Sequence, residues 1–387
     1  MIPLITHGRS TGFTEPIVAR VARTPEADPI RRASAVLVTD GQPALWPHAS
    51  QYRGAVTKLA GDQILPAQSS SQNPLVHTTE STDHLKSGDV VVLMPRSGVV
   101  RTIYRPDSDH NFLFATQRCN SFCLMCSQPP VDRDDSVQVQ INLEMIRLVD
   151  TPPKYLGITG GEPTLLGNGL LRILTELKTC MPDTRVHMLT NGRRFAKPEF
   201  TDAFLSVGHP NLTLGIPVYS DYAPHHDYIV QARGAFDQTI QGLHRLARYD
   251  QPVEIRVVLH KLTLPRLLDL AQFIYRNLPF AYHVALMGLE ITGFTKPNID
   301  ELWIDPYDYQ RELALAVEYL DMRGMSVSVY NHPLCLLPRA LWKFARKSIS
   351  DWKNMYLKQC EDCGARQDCG GFFMSAQRRR STHIRAM

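Results

Sequence analysis

From about residue 111 the chain alternates short apolar runs with segments whose apolar residues recur every three or four positions. The runs 111–117, 154–159, 185–190, 211–218, 253–259 and 281–289 predict six strands. Segments 169–180, 235–248 and 265–277 have the period of amphipathic helices. Strand and helix in alternation imply a parallel α/β sheet with right-handed crossovers. Six such units predict a partial (β/α)6 TIM-like barrel, with chemistry at the C-terminal ends of its strands. The preceding region has another rhythm, with β-rich patches at 34–40 and 90–104 around a polar stretch at 68–74. In the second patch two β-branched runs flank Pro95-Arg96-Ser97-Gly98, which has the composition of a hairpin turn. Beyond the sixth strand, 307–322 predicts a helix and 325–330 a short strand. The chain thus divides into a small β-rich N-terminal domain (1–105), a barrel (106–305) and a C-terminal extension (306–387), without internal repeats.

With 387 residues, 43% hydrophobic, the chain can bury one large core or two ordinary ones. Lys and Arg number 42 against 38 Asp and Glu, and this balance gives no reason by itself to expect a nucleic-acid or membrane partner. The basic surplus is local: residues 339–387 hold eleven Lys/Arg and four Asp/Glu. That tail includes Arg378, Arg379 and Arg380, which could dock an acidic partner, although a solvated terminus is the plainer account. No apolar run is long enough to span a membrane and the first residues lack a signal peptide's order, so the cytoplasm is the expected location. Eight cysteines in such a chain point to metal or cluster ligands before disulfides.

Three of them stand just after the first barrel strand as Cys119-x3-Cys123-x2-Cys126. Three close thiolates can hold three irons of a cubane and leave a fourth open to a small molecule, whereas an electron-transfer ferredoxin closes all four with cysteine. A zinc site would need His110 or a distant residue to join. The second strand ends in Gly160-Gly161-Glu162-Pro163, where glycines admit a ligand to the backbone and a carboxylate with carbonyls can take an ammonium.

The combination of C-x3-C-x-Met-C and GGEP resembles the radical S-adenosylmethionine (radical SAM) superfamily. Thr190-Asn191-Gly192, Tyr219-Ser220-Asp221 and Gly288-Leu289-Glu290 follow in order at later strand ends, with Arg256 in the fifth strand. The resemblance implies that Cys119, Cys123 and Cys126 hold a [4Fe-4S] cluster whose open iron binds S-adenosylmethionine. It places Met125 against the adenine, and Gly160, Gly161 and Glu162 at the methionine ammonium. Ser220 and Arg256 would contact the ribose and the methionine carboxylate, with Asn191 nearby. The implied chemistry is reductive cleavage to a 5′-deoxyadenosyl radical that abstracts a hydrogen atom.

The tail carries Cys335, Cys360-x2-Cys363 and Cys369, enough to close one cluster or one zinc ion, with His332 a spare ligand and Cys180 an ordinary thiol. An auxiliary [4Fe-4S] cluster, a structural zinc and unligated thiols all fit this set. The wording around both cysteine groups resembles the His-Xaa-Ser system radical SAM maturases (HxsC type). That resemblance implies a peptide or small-protein substrate, a reductant such as flavodoxin or ferredoxin, a second radical SAM maturase and a small helper protein. Action on RNA or a small-molecule cofactor precursor is the alternative, and a non-catalytic iron-sulfur or zinc scaffold a remote one.

Overall fold

The computed structural model describes residues 4–40, 46–58, 73–348, 354–377 and 379–387. The first of its two sheets contains β1 (Ile5–Thr6), β2 (Arg9–Thr11), β3 (Ile17–Ala22), β4 (Ala35–Val38), β5 (Gly54–Lys58), β6 (Leu75–Thr78), β7 (Val90–Leu93) and β8 (Val100–Tyr104), in the order β1-β8-β7-β3-β4-β5-β6-β2. Strands β7 and β8 are the expected hairpin, with Arg96 and Gly98 at positive φ in its turn. Of the polar stretch 68–74, residues 68–72 lie outside the described residues.

Strands β1 and β2 stand at opposite ends of this order, yet only His7 and Gly8 separate them. The three peptide steps from Thr6 to Arg9 reach about 11 Å, whereas eight strands laid flat would be roughly 33 Å across. The sheet is therefore rolled into a small barrel, closed by the segment 5–11. Alternate residues of β3 divide its burial: Ile17, Ala19 and Val21 join the barrel's own core, while Val18 joins the large core of the second sheet. On that outer face Arg20 is 7% exposed. Its guanidinium donates to both oxygens of Asp150 at 2.9 and 2.7 Å, which docks the barrel beside the end of helix Ser136–Leu148.

The second sheet is parallel throughout, in the chain order β9 (Asn111–Phe114), β10 (Tyr155–Thr159), β11 (Arg185–Leu189), β12 (Leu212–Pro217), β13 (Val253–Leu259), β14 (His283–Gly288), β15 (Val327–Tyr330) and β16 (Ala345–Arg346). Six strands were expected and eight are present. The seventh is the apolar run of the expected extension, and the eighth, two residues long, is too short to show a period. β9 and β16 are the two ends, so this larger sheet is open. Its helices cover the outside as their spacing predicts: Asn168–Cys180 buries Leu170, Ile173, Leu174 and Leu177, and Ala235–Ala247 buries Ala235, Thr239, Gly242, Leu243 and Leu246. Parallel strands point every C-terminal end to one rim, and the candidate chemistry stands there. Among the described residues no helix is long and apolar enough to cross a membrane.

Candidate active site

The cysteine loop follows β9 and is held at both ends by backbone from distant elements. Phe122 and Leu124 donate N–H to the carbonyls of Val230 and Ile229, both at 3.0 Å. Phe294 N–H donates to Cys126 O at 2.8 Å, and the Thr295 hydroxyl to Met125 O at 3.2 Å. Met125, 7% exposed, packs with Tyr219, Ile229, Val230, Ala235 and Leu302. Burial pushes the Cys119 thiol up to about 11, with the Glu162 carboxylate adding to the shift. Burial also raises Cys123 and Cys126. Such thiols are poor nucleophiles by themselves, and a metal that displaces their protons is what makes them ligands. As the side chains stand, no group of three or more His, Cys, Asp or Glu among the described residues is drawn close enough to hold a single metal ion.

The turn after β10 lies against this loop. Gly160 has φ of +138°, and a Cβ there would stand 2.4 Å from Thr116 O; one on Gly161 would stand 2.1 Å from Arg118 O. No side chain fits at either position, and the close approach fixes the turn beside the start of the cysteine loop. Glu162 is 1% exposed, and its carboxylate is turned inward. Oε1 accepts from Thr164 N at 3.0 Å, Thr164 Oγ1 at 2.6 Å and Thr190 Oγ1 at 2.7 Å, and Oε2 from Asn191 N at 2.6 Å. The carboxylate expected at the ammonium is thus engaged by four protein donors, and it ties the ends of β10 and β11 together.

Asn191 carries the connection onward, donating Nδ2–H to Asn120 Oδ1 at 2.6 Å, and stands 4.0 Å from Cys119 Sγ. Arg193, not singled out in the sequence, donates to Asn120 O and to Ser121 Oγ. The sequence signal was present in the two arginines that follow Thr190-Asn191-Gly192. Ser220 is wholly buried, and its hydroxyl accepts from Tyr222 N at 3.1 Å and contacts His225 Nδ1 at 3.2 Å.

A cavity of about 1110 Å³ occupies the interior of the sheet. At its mouth stand Met125, Ser127, Gln128, Thr159 and Glu290, and at the opposite rim Arg185, Pro210 and Pro252, so it runs the depth of the strands. Arg256 also lines it, midway along β13. Its Nη1 donates to Glu254 Oε1 at 2.5 Å, and its Nη2 reaches only the thioether of Met287 at 2.9 Å. Burial raises the Glu254 carboxyl, but the His283 hydrogen bond and the Arg256 charge outweigh it and hold the group at about 2.

The four cysteines of the tail, Cys335, Cys360, Cys363 and Cys369, line one small enclosed cavity of about 20 Å³ with Tyr356, Phe372 and Ile384. Cys369 Sγ accepts backbone N–H from Leu334 at 3.3 Å and Gly371 at 3.4 Å, and Cys363 Sγ accepts from Met387 N at 3.3 Å. His332 is not a spare ligand. Its Nε2 meets Tyr309 Oη at 2.7 Å and its Nδ1 meets Tyr330 O at 2.8 Å, so both nitrogens are engaged in the core. In the basic tail, Arg378 lies outside the described residues, while Arg379 pairs with Asp300 at 2.8 Å and covers Trp303.

Residues 113–274 match the model of the radical SAM superfamily. This segment is a radical SAM domain. The superfamily's [4Fe-4S] cluster and S-adenosylmethionine come with that assignment, and the open sheet with its cysteine loop has the donors for both. Among solved structures, the chain is similar to SuiB from Streptococcus suis bound to S-adenosylmethionine (13% identity, 57% of this chain, 47% of that one, TM-score 0.44). It is similar also to coproporphyrinogen III oxidase from Escherichia coli (13%, 57% and 54%, 0.45). A third is a radical SAM methyltransferase from Sphaerobacter thermophilus (13%, 65% and 74%, 0.42). The chain thus spans about half the length of the first two, and at identities this low they say nothing of its substrate. No curated protein matches the chain in sequence.

Proposed function

We propose that this chain is a radical SAM enzyme that cleaves S-adenosylmethionine reductively and abstracts hydrogen from a ribosomally made peptide or protein, as in the His-Xaa-Ser type of maturation system. The observation that supports it most is the deep interior cavity opening beside the cysteine loop. At about 1110 Å³ it exceeds the range of about 300–1,000 Å³ that holds one small ligand. It therefore has room for the cofactor and for part of a larger substrate. Cys119, Cys123 and Cys126 hold the cluster in this reading, the Gly160-Gly161 backbone takes the ammonium, and Met125 lies against the adenine. The cluster, once reduced, supplies the electron that breaks the sulfonium bond. The protein positions the substrate and keeps water from the radical. Cys335, Cys360, Cys363 and Cys369 hold an auxiliary [4Fe-4S] cluster in the same reading, with zinc the alternative.

Anaerobic reconstitution tests both metal assignments. Two cubanes give about eight iron per chain, and about four iron with one zinc marks the second site as structural zinc. Incubation with S-adenosylmethionine and dithionite gives 5′-deoxyadenosine, which Cys123→Ala abolishes while iron falls by about four. Persistent product in that variant overturns the cluster assignment.

A further inference from the structure

The floor of the interior cavity is polar, and Arg256, expected at the cofactor, is engaged there with Glu254 and Met287. Glu254 is one residue into β13 and pairs in register with Gly215 of β12 and His283 of β14. Its Oε2 meets His283 Nδ1 at 2.8 Å, and His283 Nε2 meets Ser328 Oγ at 3.0 Å. From the neighbouring strands His187 and Tyr155 line the same space, with Tyr155 Oη 3.1 Å from His187 Nδ1. His187 Nε2 is buried and has no hydrogen-bond partner, with Glu254 Oε1 3.6 Å away. A bare nitrogen lone pair beside a carboxylate oxygen is repelled, so the proton belongs on Nε2 and the tyrosine hydroxyl donates to Nδ1.

Two donors are consequently under-used at one place: the Nε2–H of His187, whose nearest acceptor, Glu254 Oε1, is beyond hydrogen-bond distance at 3.6 Å, and the Nη2 of Arg256, with only a thioether. A buried donor without an acceptor is costly, and a ligand that supplies an acceptor removes that cost. Glu254 and Arg256, the floor's two sheltered charges, cancel each other, and the further cations of the lining, Arg185, Arg346 and Lys347, are exposed to water, so a carboxylate or ammonium guest would bring an uncompensated charge onto the floor. We infer that the floor formed by Tyr155, His187, Glu254 and Arg256 is a substrate subsite for a neutral, acceptor-bearing group such as a hydroxyl, a carboxamide or a neutral imidazole. This deepens the peptide reading above and rests on it for the substrate.

The subsite is an anchor and not the place of reaction. Glu254 and Val258, both lining the cavity, lie four residues apart along β13, about 13 Å at the rise of a strand. One side chain does not bridge that distance. The anchored residue and the residue attacked at the mouth are therefore neighbours in the substrate's sequence, within about four positions of each other.

The test uses the reconstituted full chain with S-adenosylmethionine bound and its histidine rings carbon-13 labelled, at pH 8. N-acetyl methylamides of serine, glutamine and histidine are titrated against those of glutamate, lysine and leucine while the His187 ring signal is followed. The neutral polar probes are expected to bind at least about tenfold more tightly than the charged or apolar ones. His187→Phe is expected to abolish that preference. Tyr155→Phe, which removes one oxygen and little volume, reduces it if the histidine variant does not fold. Equal binding of the glutamate, lysine or leucine probe overturns the inference, as does a His187 signal that no probe moves. The 5′-deoxyadenosine assay reports on the radical reading separately, so the failure of either is distinguishable from failure of the other.

Discussion

Glu162 shows how much of the site is carried by one buried side chain. A carboxylate removed from water is tolerable only when hydrogen bonds replace its hydration. Here the donors come from Thr164, Thr190 and Asn191, on the loops that follow two adjacent strands. Glu162→Gln keeps the shape and turns one acceptor into a donor. Either orientation of the amide then sets its NH2 against a backbone N–H, that of Asn191 or that of Thr164. The expected loss is about 1–3 kcal/mol of stability in the metal-free protein, read by denaturant unfolding, with weaker binding of S-adenosylmethionine in the reconstituted one. An unchanged unfolding midpoint would show that the carboxylate ties nothing together. Sequence made the GGEP turn legible, because glycine pairs at strand ends are few and meaningful. It did not show that the glutamate faces inward, since that depends on which donors the next strand brings.

At the scale of elements, the parallel strands of the second sheet are legible because apolar runs separated by helical periods leave few other arrangements. Strands β3, β5 and β6 are not. All six residues of β3 are buried, so it has no alternation to find, and Arg20 interrupts its apolar run. Helix Ser136–Leu148 escapes for a related reason: Asn142 occupies a core position and donates to Phe114 O at 2.8 Å, which breaks the apolar stripe. The Arg20–Asp150 pair that joins these two elements makes its own prediction. Asp150→Ala leaves the Arg20 guanidinium buried with only Ser34 and a carbonyl. Removing a partner from a fully buried pair costs about 3–5 kcal/mol. The Asp150 side chain is 49% exposed, so solvent screening lowers the expectation to about 2 kcal/mol. Denaturant unfolding measures the loss, and faster amide exchange confined to β3 and the helix would place it at their junction.

For the molecule as a whole, the acid side of its stability is set by histidines before carboxylates. Burial holds His187, His226 and His332 down at about 4 and His260 at about 3, against an ordinary value of 6.5. The unfolded chain therefore binds more protons than the folded one below about pH 6.5, and stability falls as pH falls through that window. Each tenfold loss of proton affinity on folding is worth about 1.4 kcal/mol. Four such groups together rival the roughly 5–15 kcal/mol that holds an ordinary domain. The metal-free chain is expected to lose most of its stability between about pH 6.5 and 4, before the Glu254 carboxylate titrates. A flat unfolding midpoint across that range would mean that these rings are protonated in the folded state.

The rolled first sheet bears on how a peptide could be held at all. A protein that recruits an extended peptide by strand addition needs an exposed sheet edge, with a row of unpaired N–H and C=O groups to offer. Residues 5–11 occupy that position twice over, pairing with β8 through Ile5 and Thr6 and with β6 through Arg9, Ser10 and Thr11. Deleting these few residues would open the ring on both sides at once, leaving β6 and β8 as adhesive edges. The truncated chain is expected to self-associate, with light scattering as the measure, while in the intact one the first sheet offers an extended peptide no edge to add to.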